Sequence, residues 1–216
     1  MINLETTYLG LKLRNPLIVS SSGLTDSLDK IKAASEYGAG AVVLKSIFEE
    51  QIHYQSGVLA EGTDYPEASD YISYYTKTHS IDNYLKLIRS ANEAVDIPVI
   101  PSINCVTADD WINFAKNIEE AGADALEVNM FFLPLDKNLS PEKAEKTYFA
   151  LVERLRKTLK IPFAIKLGPR FSNLFYLIDQ LYKRGANGVV LFNRFFEPDI
   201  DINTMNIIPA SVFSRP

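Results

Sequence analysis

The sequence predicts an α/β fold of the (β/α)8 barrel type, with six of its eight units visible, on three observations. One phrase recurs three times: Tyr37-Gly-Ala-Gly-Ala-Val-Val43, Ala121-Gly-Ala-Asp-Ala-Leu-Glu127 and Arg184-Gly-Ala-Asn-Gly-Val-Val190. A second phrase, Asp96-Ile-Pro-Val99 and Lys160-Ile-Pro-Phe163, interleaves with it at nearly the same spacing, 64 residues from Pro98 to Pro162 against 63 from Gly122 to Gly185. Each interval holds two strand–helix units of about 32 residues, a normal length for a barrel unit. Polar residues stand at the end of every predicted strand: Ser20–Ser22, Lys45, Asn104, Asn129, Lys166 and Asn193. In a barrel those ends share one mouth, whereas in an open sheet the outer ones diverge. No GxGxxG follows the first strand, which counts against a dinucleotide-binding open sheet.

The elements follow in order. Leu4–Tyr8 and Leu11–Leu13 flank Gly10 as a small hairpin. Strands are expected at Leu17–Ser20, Ala41–Lys45, Val99–Asn104, Ala125–Asn129, Phe163–Lys166 and Gly188–Phe192. They read as continuous apolar runs, as buried parallel strands do. Helices are expected at Ser27–Tyr37, Ser80–Val95, Thr107–Ala121, Ser140–Thr158 and Phe171–Arg184, each ended by glycine or by the Ile-Pro phrase. Gly38 to Gly122 spans 84 residues, about 21 more than two units. The excess falls in residues 46–79, a polar, Tyr-rich stretch that reads as an inserted loop, able to act as a lid or to pack on the barrel. After Asn193 come Pro198, Pro209 and Pro216. The chain therefore reads as one barrel domain over 1–216 cut short before its last two units.

Composition narrows the function. Of 216 residues, 22 are Lys or Arg and 27 Asp or Glu, a net charge of −5 with no basic run, so nucleic acid is not an expected partner. One cysteine, Cys105, excludes an internal disulfide, and two histidines, His53 and His79, argue against a metal site. No apolar run approaches a membrane span, and the N-terminus has no basic flank or apolar signal core, so a cytoplasmic protein is expected. At the mouth, Lys45 and Lys166 follow apolar runs beside Asn129 and Asn193. Fixed cations and amides there suit an electron-rich ring or an oxyanion, though Lys166 alone also suits a Schiff-base nucleophile. Snorkelling to solvent is the plain structural alternative. His53 and His79 read as solvated polar residues, and Glu49 and Glu50 as solvated or ion-paired.

Five segments in register are more specific: residues 9–23 (Leu-Gly-Leu-Lys-Leu-Arg-Asn-Pro-Leu-Ile-Val-Ser-Ser-Ser-Gly), Ala41-Val-Val-Leu-Lys-Ser46, Ala125-Leu-Glu-Val-Asn129, Ile165-Lys-Leu-Gly-Pro169 and Val190-Leu-Phe-Asn193. Together they resemble the dihydroorotate dehydrogenase family of FMN-dependent barrels, class 1 in particular, over essentially the whole chain. The resemblance implies an FMN oxidoreductase turning dihydroorotate or a related small molecule into its oxidised form, in pyrimidine biosynthesis, and it admits a homodimer. Ser21, Ser22 and Gly23 would line the flavin. Lys45 would lie near flavin and substrate, Asn129 would bond both, and Asn193 would orient the substrate. Lys166 would face the N1–C2 region of the flavin ring, where a cation favours the reduced anion.

Two departures accompany the resemblance. The family continues its fourth strand as Asn-x-Ser-Cys-Pro-Asn, whose Cys takes the substrate proton, but this chain reads Asn129-Met-Phe-Phe-Leu-Pro134. Phe132 accepts no proton, so poor dihydroorotate oxidation is expected. Cys105, on the neighbouring strand end, is the one thiol that could replace it, unless it packs away as a small hydrophobe. The family's glycine-rich phosphate turns, after its last two strands, have no counterpart here, so weak FMN binding by this chain alone is expected. A non-redox Schiff-base barrel and an inactive scaffold or fragment remain the alternatives.

Overall fold

The computed structural model describes residues 2–48, 66–104, 108–130, 138–169, 171–193, 198–201 and 205–209. The chain opens with an antiparallel hairpin, β1 (Thr6–Tyr8) and β2 (Leu11–Leu13), turning through Leu9 and Gly10, both at positive φ. Six parallel strand positions follow. They are β3 (Ile18–Val19), β4 (Ala41–Val43) continued by β5 (Ile47–Phe48), β6 (Val99–Ile100) continued by β7 (Ser102–Asn104), β8 (Leu126–Asn129), β9 (Phe163–Leu167) and β10 (Gly188–Leu191). β3 pairs β4, β4 pairs β6, β5 pairs β7, β7 pairs β8, β8 pairs β9 and β9 pairs β10, all in parallel. Each strand thus neighbours the next in sequence with no reversal, which is the order of a barrel arc and not of a doubly wound sheet.

Five helices lie between the strands: α1 (Leu28–Glu36), α2 (Pro66–Ala94), α3 (Ala108–Glu120), α4 (Pro141–Thr158) and α5 (Leu174–Lys183). Ser140 caps α4 by accepting from Lys143 N–H at 3.3 Å, with Pro141 as the first helical residue. Asn173 caps α5 by accepting from Tyr176 N–H at 3.0 Å, so that helix starts three residues after the expected Phe171.

The two repeated phrases have one physical meaning each. Gly38, Gly122 and Gly185 all have φ near +90° to +107° and close the same helix end. In each, the residue after glycine donates back to a carbonyl five positions earlier, Ala39 to Ala34, Ala123 to Ile118 and Ala186 to Leu181. The residue two past the glycine then ties neighbouring strands together. Asp124 accepts from Val99 N–H at 3.0 Å, and Asn187 accepts from Phe163 N–H at 3.1 Å. The Gly-Ala-Asp/Asn phrase and the Ile-Pro phrase therefore meet at the start of paired strands, which explains why they recur together.

Side chains alternate along each strand between two apolar clusters. Val42, Leu44, Val99, Leu126, Val128, Phe163, Ile165 and Leu167 pack against the helices. Ala41, Val43, Ile100, Ala125 and Ala164 face the barrel interior, whose entry end is stoppered by Leu9 and Leu13 of the hairpin. A Cβ on Gly188 would lie 2.8 Å from Leu9 Cδ2, so the small residue makes room for the stopper.

The structure departs from the sequence-based expectation most in two places. Residues 46–79, expected as an inserted loop, contain β5 and, from Pro66, the first half of α2, which begins well before the expected Ser80. Pro66 with Glu67 and Asp70 is a sound helix start, and the Tyr-rich composition hid it. Beyond Asn193, β11 (Pro198–Asp201) and β12 (Asn206–Pro209) form an antiparallel hairpin that was not expected.

Candidate functional site

The strand exits carry a polar row. Asn104 on β7 is level with Asn129 on β8, and Asn129 with Lys166 on β9. All three continue the inward parity of Ile100, Ala125 and Ala164, so they project into the barrel where the strands leave it. They are 7%, 4% and 8% exposed. The Oδ1 atoms of Asn104 and Asn129 are buried and have no hydrogen-bond partner among the described residues. Buried acceptors are almost always satisfied, so two orphans side by side call for a donor, from ordered water or from a bound group.

One layer below lies Glu127, 2% exposed. Its Oε1 takes a hydrogen bond from Ser102 at 3.0 Å and the Lys166 ammonium at 3.4 Å. The polar contacts run on: Ser102 Oγ is 2.7 Å from Ser46 Oγ, and Ser46 Oγ is 3.0 Å from Ser21 Oγ, which also accepts from Ser46 N–H at 2.9 Å. Side chains from the first to the fifth strand position are thus joined across the interior. The charge of Glu127 reaches two phenols as well. Burial first, and Glu127 second, push Tyr8 up to about 12; burial, again with Glu127 adding, pushes Tyr84 up too.

Tyr84 belongs to α2 and repairs the sheet. Pro101 has no N–H, and there the third strand position breaks into β6 and β7. Ser102 N–H donates to Tyr84 Oη at 2.9 Å, and the same hydroxyl donates to Ser102 carbonyl at 3.0 Å. One buried phenol replaces a missing rung of the ladder.

The predicted residues divide between this row and its rim. Ser21 enters the interior chain. Ser22 and Gly23 form a tight turn in which the Ser22 carbonyl accepts from Thr25 N–H at 3.2 Å and from Thr25 Oγ1 at 3.1 Å. Lys45 N–H donates to Thr25 carbonyl at 3.2 Å, and its exposed side chain lines a cavity of about 270 Å3 with Asp26, Ser46, Ile47, Tyr84 and Leu87. Asp26 is held below the usual carboxylate range, chiefly by its hydrogen bond from Lys30, with smaller help from Lys45. Asn193 is half-buried, and its N–H donates to Leu167 carbonyl at 2.7 Å, at the exits of the fifth and sixth strands. Lys166 and Asn129 are therefore brought together directly, while Lys45 stands at the rim beside Asp26. Cys105, Phe132, His53, Glu49 and Glu50 lie outside the described residues, and so does the His79 side chain.

Sequence reasoning missed Glu127, Ser46 and Ser102 as functional positions. For Glu127 the signal was parity: Ala125, Glu127 and Asn129 alternate with Leu126 and Val128, as Ala164 and Lys166 do with Ile165. A groove of about 600 Å3, between the N-terminal hairpin and Asp96–Pro98, lies at the opposite end of the barrel and holds none of the predicted residues. Among the described residues no cluster of His, Cys, Asp and Glu could hold a metal ion, and no helix is long and apolar enough to cross a membrane.

Known proteins sharpen this picture. The catalytic subunits of dihydroorotate dehydrogenase B (NAD(+)) from Thermoplasma volcanium and Thermoplasma acidophilum are each 29% identical to this chain. The alignments cover 99% and 94% of it and 69% and 66% of those proteins. The dihydroorotate dehydrogenase A (fumarate) of Lactobacillus delbrueckii subsp. bulgaricus is 25% identical over 94% of this chain and 67% of its own. The chain thus spans about two thirds of the length of these curated relatives. Among solved structures, an IMP dehydrogenase/GMP reductase-like protein from Corynebacterium glutamicum superimposes with a TM-score of 0.53 at 12% identity, over 91% of this chain and 50% of its own, a likeness of fold alone. A family model described as dihydroorotate dehydrogenase matches residues 3–211, a span that takes in the whole row of strand exits and the interior chain beneath it: the chain belongs to the dihydroorotate dehydrogenase family.

Proposed function

We propose that this chain is a flavin-binding oxidoreductase module whose strand exits hold FMN against a small pyrimidine-like substrate, dihydroorotate or a close relative. The observation that carries the reading is the pair of unpartnered buried acceptors, Asn104 and Asn129 Oδ1, beside the Lys166 cation. A flat heterocycle with ring N–H donors and carbonyl acceptors fits that set, and the flavin ring is one. When bound, FMN would supply the hydride acceptor. Asn104 and Asn129 would accept from ring N–H groups, and Lys166 would offset negative charge on a ring carbonyl edge. Ser21, Ser22, Gly23 and Lys45 would border the ring from the first two strand exits, and Asn193 would orient the substrate from the sixth.

Pairing with Glu127 favours the electrostatic role of Lys166 over the Schiff-base one, since an ammonium held against a carboxylate has no lone pair with which to attack a carbonyl. With Phe132 where the family carries its proton-taking residue, this chain is proposed to oxidise dihydroorotate poorly on its own. An FMN titration followed by flavin fluorescence tests the reading. Saturable binding, weakened in Asn129→Ala and in Lys166→Ala, is expected. Absence of saturable binding, or binding indifferent to both substitutions, sinks it.

A further inference from the structure

The contacts from Ser21 to Glu127 form a chain whose hydrogen-bond direction is fixed by chemistry. A carboxylate carries no proton, so Ser102 donates to Glu127 Oε1 at 3.0 Å. A hydroxyl has one proton, and that of Ser102 is now spent, so Ser46 donates to Ser102 at 2.7 Å. By the same count Ser21 donates to Ser46 at 3.0 Å. Ser21 Oγ also accepts from Ser46 N–H at 2.9 Å, leaving it one free lone pair and no free proton. Ser21 is half-buried at the exit of the first strand, whereas Ser46, Ser102 and Glu127 are 6%, 0% and 2% exposed. The interior chain thus reaches the mouth as an acceptor.

We propose that Ser21, Ser46, Ser102 and Glu127 are a proton relay, with Ser21 Oγ as its acceptor at the mouth and Glu127 as its terminal base. An X–H group at the mouth gives its proton to Ser21 Oγ. Ser21's own proton passes to Ser46, that of Ser46 to Ser102, and that of Ser102 to Glu127 Oε1. The X–H bond and three O–H bonds break, four O–H bonds form, and one negative charge leaves Glu127 and appears on X. Charge is moved and none is created. Lys166 on β9 loses its carboxylate partner as a new anion arises at the mouth, where Lys166 shares a row with Asn129. Ser102 from β7 and Lys166 from β9 bond Glu127, and Tyr8 from β1 and Tyr84 from α2 lie within reach of its charge. Both phenols resist ionisation, so neither competes as a base. The relay offers a proton acceptor to a chain with Phe132 at the family's usual place, and it rests on the proposed function only for the identity of X–H.

The test uses the protein without any ligand. After a rapid drop in pH, time-resolved infrared spectroscopy follows the carboxyl band of Glu127, assigned by its loss in Glu127→Gln. Ser46→Ala cuts the chain without touching Glu127 and is expected to slow protonation roughly tenfold or more, while Ser46→Thr, which keeps a hydroxyl, restores the rate. Ser21→Ala cuts the same chain at its half-buried end and serves if Ser46→Ala does not fold. Rates equal to wild type in both alanine variants show that protons reach Glu127 by another path and overturn the relay. In a flavin-loaded sample, dihydroorotate-driven bleaching is expected to slow by the same factor in Ser21→Ala and Ser46→Ala. Absence of bleaching in the wild type counts against dihydroorotate as the source of X–H and leaves the pH-drop result standing.

Discussion

Where the strands enter the barrel, Val99 N–H finds Asp124 and Phe163 N–H finds Asn187, whereas at the exits the Oδ1 atoms of Asn104 and Asn129 find no partner among the described residues. The entry end adds an apolar stopper, Leu9 and Leu13, under small interior residues. Just below the exit row the fold buries a carboxylate and an ammonium instead. The same strands thus satisfy their polar groups at one end and leave buried acceptors open at the other, a division that barrels allow because opposite ends of a strand are independent in space.

Substitutions at the two ends can break or sharpen that contrast. The largest effect is expected for Glu127→Ala, which leaves Lys166 buried without a counter-charge and costs about 3–5 kcal/mol in urea unfolding. Next comes Asp124→Ala at the entry end, which strands the Val99 N–H at the start of a fully buried strand and costs about 1–3 kcal/mol. Gly38→Ala follows at about 1–2 kcal/mol. No atom lies within 4 Å of the added methyl, so the whole cost is backbone strain at φ +94°, and a null result in thermal melts would contradict the shared helix-end motif. Asn129→Leu at the exit end is expected to change stability by less than about 1 kcal/mol, since it removes an acceptor that was already unpaired, while FMN affinity falls. Observing that split would separate a binding role of the exits from a structural one. The last effect is confined to alkaline pH and concerns Tyr8. Its folded pKa of about 12 lies above the ordinary 10.0, so the neutral phenol is the form the fold prefers. Its contribution is intact below pH 10 and is lost as pH rises towards 12. Tyr8→Phe should flatten the alkaline arm of the stability curve, measured by urea midpoints from pH 9 to pH 12.

The barrel arc was legible because helix ends and strand starts are written in residues with few alternatives. Glycine supplies positive φ at 38, 122 and 185, and proline opens strands at 98 and 162. The row of Asn104, Asn129 and Lys166 was legible because polar residues ending apolar runs stand out. Glu127 was not, since a buried parallel strand reads as apolar on both faces and one acid within it looks like an exception. Ser46 and Ser102 were hidden for another reason: a hydroxyl declares its role only through its neighbours, and those lie 25 and 56 residues away. The start of α2 was masked by its Tyr, Ser and Thr content, which lowers helix propensity without preventing the helix.

Tyr84 gives the barrel wall an unexpected property. Its hydroxyl holds the backbone of Ser102 from outside, while the side chain of Ser102 points into the interior chain. The helix that carries it has 29 residues, about 43 Å at the usual rise, and it meets this rung through one phenol oxygen. A wall of β-structure ordinarily keeps its two faces apart; at this rung one serine is bonded from both.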